Sequence, residues 1–207
     1  PPAQTLPQSK MVLRMRLAPC LFGAAAWGGV AWAYGVSLQA GELLLFFAAL
    51  LTLSCDDVVT RTIPDSCVCF AGVIRAALLA LEVILGHIPV SLAIDYCLAG
   101  IMTGLLLQGF SSVLGKLRSD TALGGGDVKL MAVVGFHFGL DGAMRIVLLA
   151  CLGVLLCACV RGLMLENIQL SWKDELGKKV PFGPHISVAS IIEVFLESPL
   201  LAIGVIA

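Results

Sequence analysis

The sequence predicts an all-α protein, a polytopic integral membrane helical bundle of about seven transmembrane helices, with six or eight also compatible. Two observations carry this. Of 207 residues, 59% are hydrophobic and only 13% charged, with a mean hydropathy of +1.00, whereas a soluble domain carries about 25% charged residues. The apolar residues also come in long blocks rather than amphipathic stripes, so the solvent for most of the chain is lipid.

A membrane span needs roughly 20 apolar residues. Residues 1–16 fall outside that pattern: PPAQTLPQSK is polar and Pro-rich, and Lys10, Arg14 and Arg16 follow or close it. They read as a mobile or foreign N-terminal tail, and 17–207 as one membrane-embedded domain. The basic stretch before an apolar run imitates a signal peptide. No small-residue cleavage site leads into a soluble domain, so the run reads as a retained first span. In order, the candidate spans are 17–38, 41–56, 66–86, 88–110, 128–141, 143–165 and 184–206. The second and fifth are short, and each borders an aspartate at a polar junction. Such ends belong inside the membrane boundary, lined by protein or water rather than lipid.

Lysine and arginine placement sets the orientation. With the N-terminus cytoplasmic, Lys10, Arg14, Arg16, Arg61, Lys116, Arg118, Lys129, Arg161, Lys173, Lys178 and Lys179 fall on inner segments. The outer loops near 39–40, 87–89 and 142 hold none, and only Arg145 lies close to that side. In this orientation CDDVVTRTIPD (55–65), RSDTALGGGD (118–127) and the loop ending in KKVPFGP (178–184) converge on one face.

Some chemistries are disfavoured. No basic stripe interleaved with aromatics suggests nucleic acid. The eight cysteines form no CxxC pair and no Cys/His cluster with zinc spacing, so no metal is expected and they read as small buried hydrophobes. His87, His137 and His185 are scattered and receive no catalytic role.

The carboxylates are more informative. Pro64 fixes its own backbone and pushes Ile63 out of helix, making 58–64 an extended or turning link. Asp65 then opens the third span at an N-cap-like position, where the helix dipole favours an anion. Asp57 ends the second span, where the dipole disfavours one. Asp127, after three glycines, reads locally as the cap of the helix that follows. Two aspartates from separate helices at one membrane face cannot both ionise freely and would share a proton. One could activate water while the other polarises a peptide carbonyl. The glycines would let a substrate backbone approach.

Asp57 eight residues before the Asp of IPD, then GGGDVKL, then VPFGP, together resemble the type IV prepilin peptidases, which are GxGD intramembrane aspartic proteases. The resemblance covers about residues 41–190. It implies an aspartic endopeptidase with Asp57 and Asp127 catalytic; Asp56 would give a spacing of nine. Gly124, Gly125, Gly126, Lys129, Gly135, Pro64, Asp65, Pro181, Phe182, Gly183 and Pro184 take supporting places, with no cofactor and no metal. It further implies prepilin or pseudopilin partners, cleaved between a short basic leader and a membrane helix. The setting would be the cytoplasmic face of the bacterial inner membrane. Larger members carry a Cys-rich zinc module associated with N-methylation; without such CxxC pairs this chain resembles the short, peptidase-only form. A presenilin-like relative would want a Tyr-Asp pair, where this chain has Asp56-Asp57.

Arg75, Glu82, Asp95, Glu193 and Glu197 lie at membrane depth, where a central charge costs about 2.5–3.5 kcal/mol on insertion scales. Depth along antiparallel neighbours suggests an Arg75–Asp95 pair. The alternative function is a small transporter or channel using Arg75, Glu82 and Asp95. Glu193 and Glu197 share a helix face at i,i+4. The sequence assigns no oligomeric state.

Overall fold

A computed structural model describes residues 23–60, 62–118, 124–166 and 182–197. Within these limits the chain is all-helical: α1 (23–34), α2 (Leu38–Thr60), α3 (Asp65–Ile84), α4 (Val90–Arg118), α5 (Gly125–Glu166) and α6 (Gly183–Leu196). By length and composition α2, α3, α4 and α5 can each cross a membrane, and α6 is a shorter apolar helix. The tail 1–16, Arg61, Pro181, Lys178 and Lys179, and the end of the seventh predicted span, lie outside the described residues.

The fifth and sixth predicted spans are the two arms of α5. Gly139 has φ +70° and ψ −178° inside this helix, a conformation that a residue with a Cβ resists. Contacts show that the chain doubles back there. The first arm carries Asp127 in its first turn, within electrostatic reach of Asp57. After the break, Arg145 meets Glu193 and Glu197 at the C-terminal end of α6. The second arm then passes His185 at Gly153, beside the N-terminal end of α6. The bundle thus has an aspartate end and an opposite end.

The second predicted span, 41–56, needs correction. Helix α2 continues to Thr60, because Val58 and Val59 do not interrupt it and Thr60 Oγ1 donates to the Asp56 carbonyl at 2.8 Å. Asp57 therefore lies within the last turn, and the predicted link 58–64 contracts to the stretch before Asp65. Pro64 is the N-cap of α3, with extended backbone (φ −67°, ψ 125°). The fourth span also runs further than its predicted end at 110, to Arg118.

The core lies between α2, the first arm of α5 and α6. Phe46, Phe47, Leu50 and Leu53 meet Leu130, Met131 and Val134, and Ile186, Ala189 and Val194 close the far side. Outward faces are apolar too, with Phe70, Val73, Leu105, Leu106, Leu148 and Leu152 exposed on α3, α4 and the second arm. Lipid accepts those faces as readily as a core would. The same physics corrects the cysteines: Cys55, Cys69, Cys97, Cys151, Cys157 and Cys159 are exposed, not buried.

Close helix contact depends on small residues. On α4, Gly100 and Gly104 form a GxxxG pair, the spacing that lets membrane helices approach. A Cβ on Gly100 would lie 2.9 Å from the Ala132 carbonyl oxygen, and one on Gly104 would lie 3.1 Å from the Ala132 Cβ. On the facing arm of α5, a Cβ on Gly135 would lie 2.5 Å from Thr103 Oγ1 and 2.9 Å from the Ala99 oxygen. Gly135→Ala should destabilise the fold by about 1–3 kcal/mol through overpacking. Gly109, with open space around its Cβ position, supplies the control. Thermal unfolding in detergent checks this; equal midpoints for Gly135→Ala and Gly109→Ala would contradict the α4–α5 contact.

Candidate active site

Asp57 is buried at the end of α2, 5% exposed. Its Oδ2 accepts a hydrogen bond from the backbone N–H of Gly183 at 2.8 Å. Gly183 is the first residue of α6, with Phe182 as N-cap and Pro184 next, where proline's missing N–H costs little. Phe182 packs against the core and its carbonyl accepts from the N–H groups of His185 and Ile186, both at 3.1 Å. The described part of the VPFGP motif, Phe182 to Pro184, therefore directs a main-chain donor onto Asp57. Asp56, partly exposed, faces away from that burial.

Asp127 stands in the first turn of α5, half-buried. It is not itself the cap. It is the third helical residue and accepts a hydrogen bond from the Gly124 N–H behind it, the reaching-back half of a capping box. The fold brings Asp57 close enough for its charge to act on Asp127. These carboxylates belong to elements separated by two helices in the chain, and the fold brings them within electrostatic reach at one end of the bundle.

The three glycines divide their work. Gly126 is packed against the IPD turn, where an added Cβ would lie 2.8 Å from Ile63 Cβ. Gly125 is exposed and its Cβ position is open. The expectation that all three clear a path for substrate is thus corrected for Gly126, which makes room for Ile63.

Asp65 departs from its predicted cap-like role. Pro64 is the N-cap of α3 and no side chain caps it. The Asp65 carboxylate instead accepts two hydrogen bonds from Lys129 Nζ, at 2.8 and 2.7 Å. This pair joins the IPD turn to the GGGD segment. Both side chains are more than half exposed, so the pair should contribute only about 0.2–1 kcal/mol. Lys129→Ala should lower stability by that amount, and the difference should shrink in high salt. A salt-independent loss of several kcal/mol, measured by thermal unfolding, would contradict this.

The predicted Arg75–Asp95 pair is not formed. Arg75 donates from Nη1 to Glu42 Oε1 at 2.6 Å and from Nε to the Phe136 carbonyl at 3.2 Å. Its guanidinium lies 4.7 Å from the centre of the Tyr96 ring. Asp95 is exposed and lines a cavity of about 470 Å³ at the opposite end, together with Asp141, Arg145 and Glu197. Glu82 lies within electrostatic reach of Glu42. Buried His137 stacks on Phe46 at 3.9 Å and bonds the Val133 carbonyl through Nδ1 at 3.0 Å. Glu193 and Glu197 share one partner, Arg145, at 2.5 Å each. Sequence reading passed over Glu42 and Arg145 as partners. A carboxylate just inside the second span was the available signal for the first.

Fold and site together define a class: a polytopic helical membrane protein in which two acidic side chains from different helices lie within electrostatic reach at one end. A model described as the type IV leader peptidase family matches residues 44–159, and the chain belongs to that family. It is similar to a prepilin leader peptidase/N-methyltransferase of Stutzerimonas stutzeri, 32% identical over 78% of this chain and 52% of the relative. The Pseudomonas aeruginosa protein of the same description is 31% identical over 80% of this chain and 52% of its own length. That of Neisseria gonorrhoeae is 28% identical over 89% and 58%. The chain spans about half the length of these curated relatives. No solved structure matches it.

Proposed function

We propose that the protein is an aspartic endopeptidase that removes the leader peptide from type IV prepilins or pseudopilins. Asp57 and Asp127 would share a proton: the ionised carboxylate activates water, and the protonated one polarises the scissile carbonyl. The observation that carries this reading is that Asp57 of α2 lies within electrostatic reach of Asp127 of α5, in a chain of the leader peptidase family. The aspartate end would face the cytoplasm of a bacterial inner membrane, with the N-terminus on that side. This agrees with the excess of lysine and arginine that the sequence assigns to the inner segments. A prepilin offers its basic leader and the start of its apolar helix together at such a face.

The transport alternative needs Arg75, Glu82 and Asp95 along one polar path. Arg75 is instead neutralised by Glu42 and covered by Tyr96, which leaves that reading without its central cation. The deciding experiment is incubation of the purified, detergent-solubilised protein with a prepilin, beside Asp57→Ala and Asp127→Ala. Cleavage by the wild type alone is the expected result. Retained cleavage in either variant would remove the dyad, and a wild type inert on several prepilins would remove the peptidase reading.

A further inference from the structure

Helix α6 is held by α2 at its start and by α1 and the second arm of α5 towards its end. Near its start, Ser187 Oγ lies 2.6 Å from Ser54 Oγ and 3.1 Å from the Gly183 carbonyl. Ser187 and Gly183 are both buried. Further along, the Tyr34 hydroxyl donates to the Val194 carbonyl at 3.1 Å, and Arg145 grips Glu193 and Glu197. The helix therefore has little freedom to slide, and its first N–H is fixed relative to Asp57. Contact at that point is as close as the backbone allows. A Cβ on Gly183 would lie 2.9 Å from Asp57 Oδ2 and 3.3 Å from its Cβ. His185, the nearest ionisable group on α6, is turned to Gly153 on the second arm of α5.

We propose that Gly183 is a positioning residue for the dyad: its main-chain N–H anchors Oδ2 of Asp57 and leaves Oδ1 as the oxygen that meets the attacking water. This rests on the peptidase reading above. A carboxylate on a side chain with two free torsions samples many orientations. One short hydrogen bond from a clamped helix selects one of them, and orientation of a reacting group is worth large factors in rate. The role requires glycine, because any side chain displaces the carboxylate it orients. Ser187 supports it by fixing the first turn of α6 to Ser54.

The test compares Gly183→Ala and Ser187→Ala with wild type in prepilin cleavage, measuring kcat and KM separately and thermal unfolding alongside. Gly183→Ala should lower kcat by about 10–100-fold and leave KM within about twofold, because the interaction is made with the reacting group and not with bound substrate. Ser187→Ala adds no atom near Asp57 and should lower kcat by about 3–10-fold, again at constant KM. A folded Gly183→Ala with wild-type kcat, or a loss confined to KM, would overturn the proposal. Should Gly183→Ala fail to fold, Ser187→Ala decides: an unchanged kcat overturns the proposal and a lowered kcat at constant KM sustains it. Cleavage retained by Asp57→Ala would sink the dyad itself, whereas an unaltered Gly183→Ala beside inactive aspartate variants sinks the positioning role alone.

Discussion

Asp57→Asn and Asp127→Asn should each lower prepilin cleavage by at least about 10³-fold, with the double variant scarcely worse than either. General acid–base groups contribute about 10²–10⁴-fold each, and groups that act as a unit lose nearly everything when one is removed. Asparagine keeps the shape of the side chain. At Asp57 its amide oxygen can still accept from Gly183, whose N–H otherwise holds the carboxylate at 2.8 Å. Folding should therefore survive, and removing one of two mutually repelling acids should leave thermal stability equal or slightly higher. Asp56→Asn should stay active, since Asp56 is partly exposed while Asp57 is buried. Steady-state rates and melting curves on the same preparations check this. An inactive Asp56→Asn with an active Asp57→Asn would move the site by one residue, and multiplicative losses in the double variant would argue against a shared proton.

The second large effect is one of stability. Arg75→Met should destabilise the bundle by about 3–5 kcal/mol, the typical consequence of leaving one member of a buried ion pair alone. Arg75 and Glu42 are 6% and 5% exposed, 2.6 Å apart, and the cation also serves the Phe136 carbonyl and the Tyr96 ring. The midpoint of thermal unfolding in detergent should fall by roughly 6–20 °C, at about 2–4 °C per kcal/mol for a chain of this size. Arg75→Met combined with Glu42→Gln should recover much of the loss, because no uncompensated charge remains. A single variant that melts with wild type, or a double variant no better than the single, would refute this account.

Both effects bear on what the sequence could convey. Hydropathy placed the helical segments well, because lipid demands long apolar runs and leaves little ambiguity. It misjudged the end of α2, since a membrane helix can carry Asp56, Asp57, Val58 and Val59 forward until Pro64 enforces a stop. Depth was legible only as far as reach: the Arg75 guanidinium does extend to residue 96 of the neighbouring helix. The face was not. Each residue turns the helix by about 100°, so Tyr96 rather than Asp95 meets the guanidinium, and the counter-ion comes from α2. Motif order likewise singled out Asp57, Asp127 and VPFGP. It could not show that Gly183 is the donor on Asp57 or that Gly126 accommodates Ile63, because those contacts depend on three-dimensional approach between distant segments.

The reversal at Gly139 has a mechanical consequence. The first arm of α5, residues 125–138, is roughly 21 Å long at about 1.5 Å per residue, while a bilayer's hydrocarbon core is about 30 Å thick. That hydrophobic mismatch must be absorbed by local thinning of the bilayer or by sinking one end of the arm below the headgroups. Asp127 rides on that arm's first turn. A short helix thereby carries the Asp127 carboxylate below the headgroup level, which is the depth at which, on the proposed peptidase reading, a substrate's membrane helix would begin.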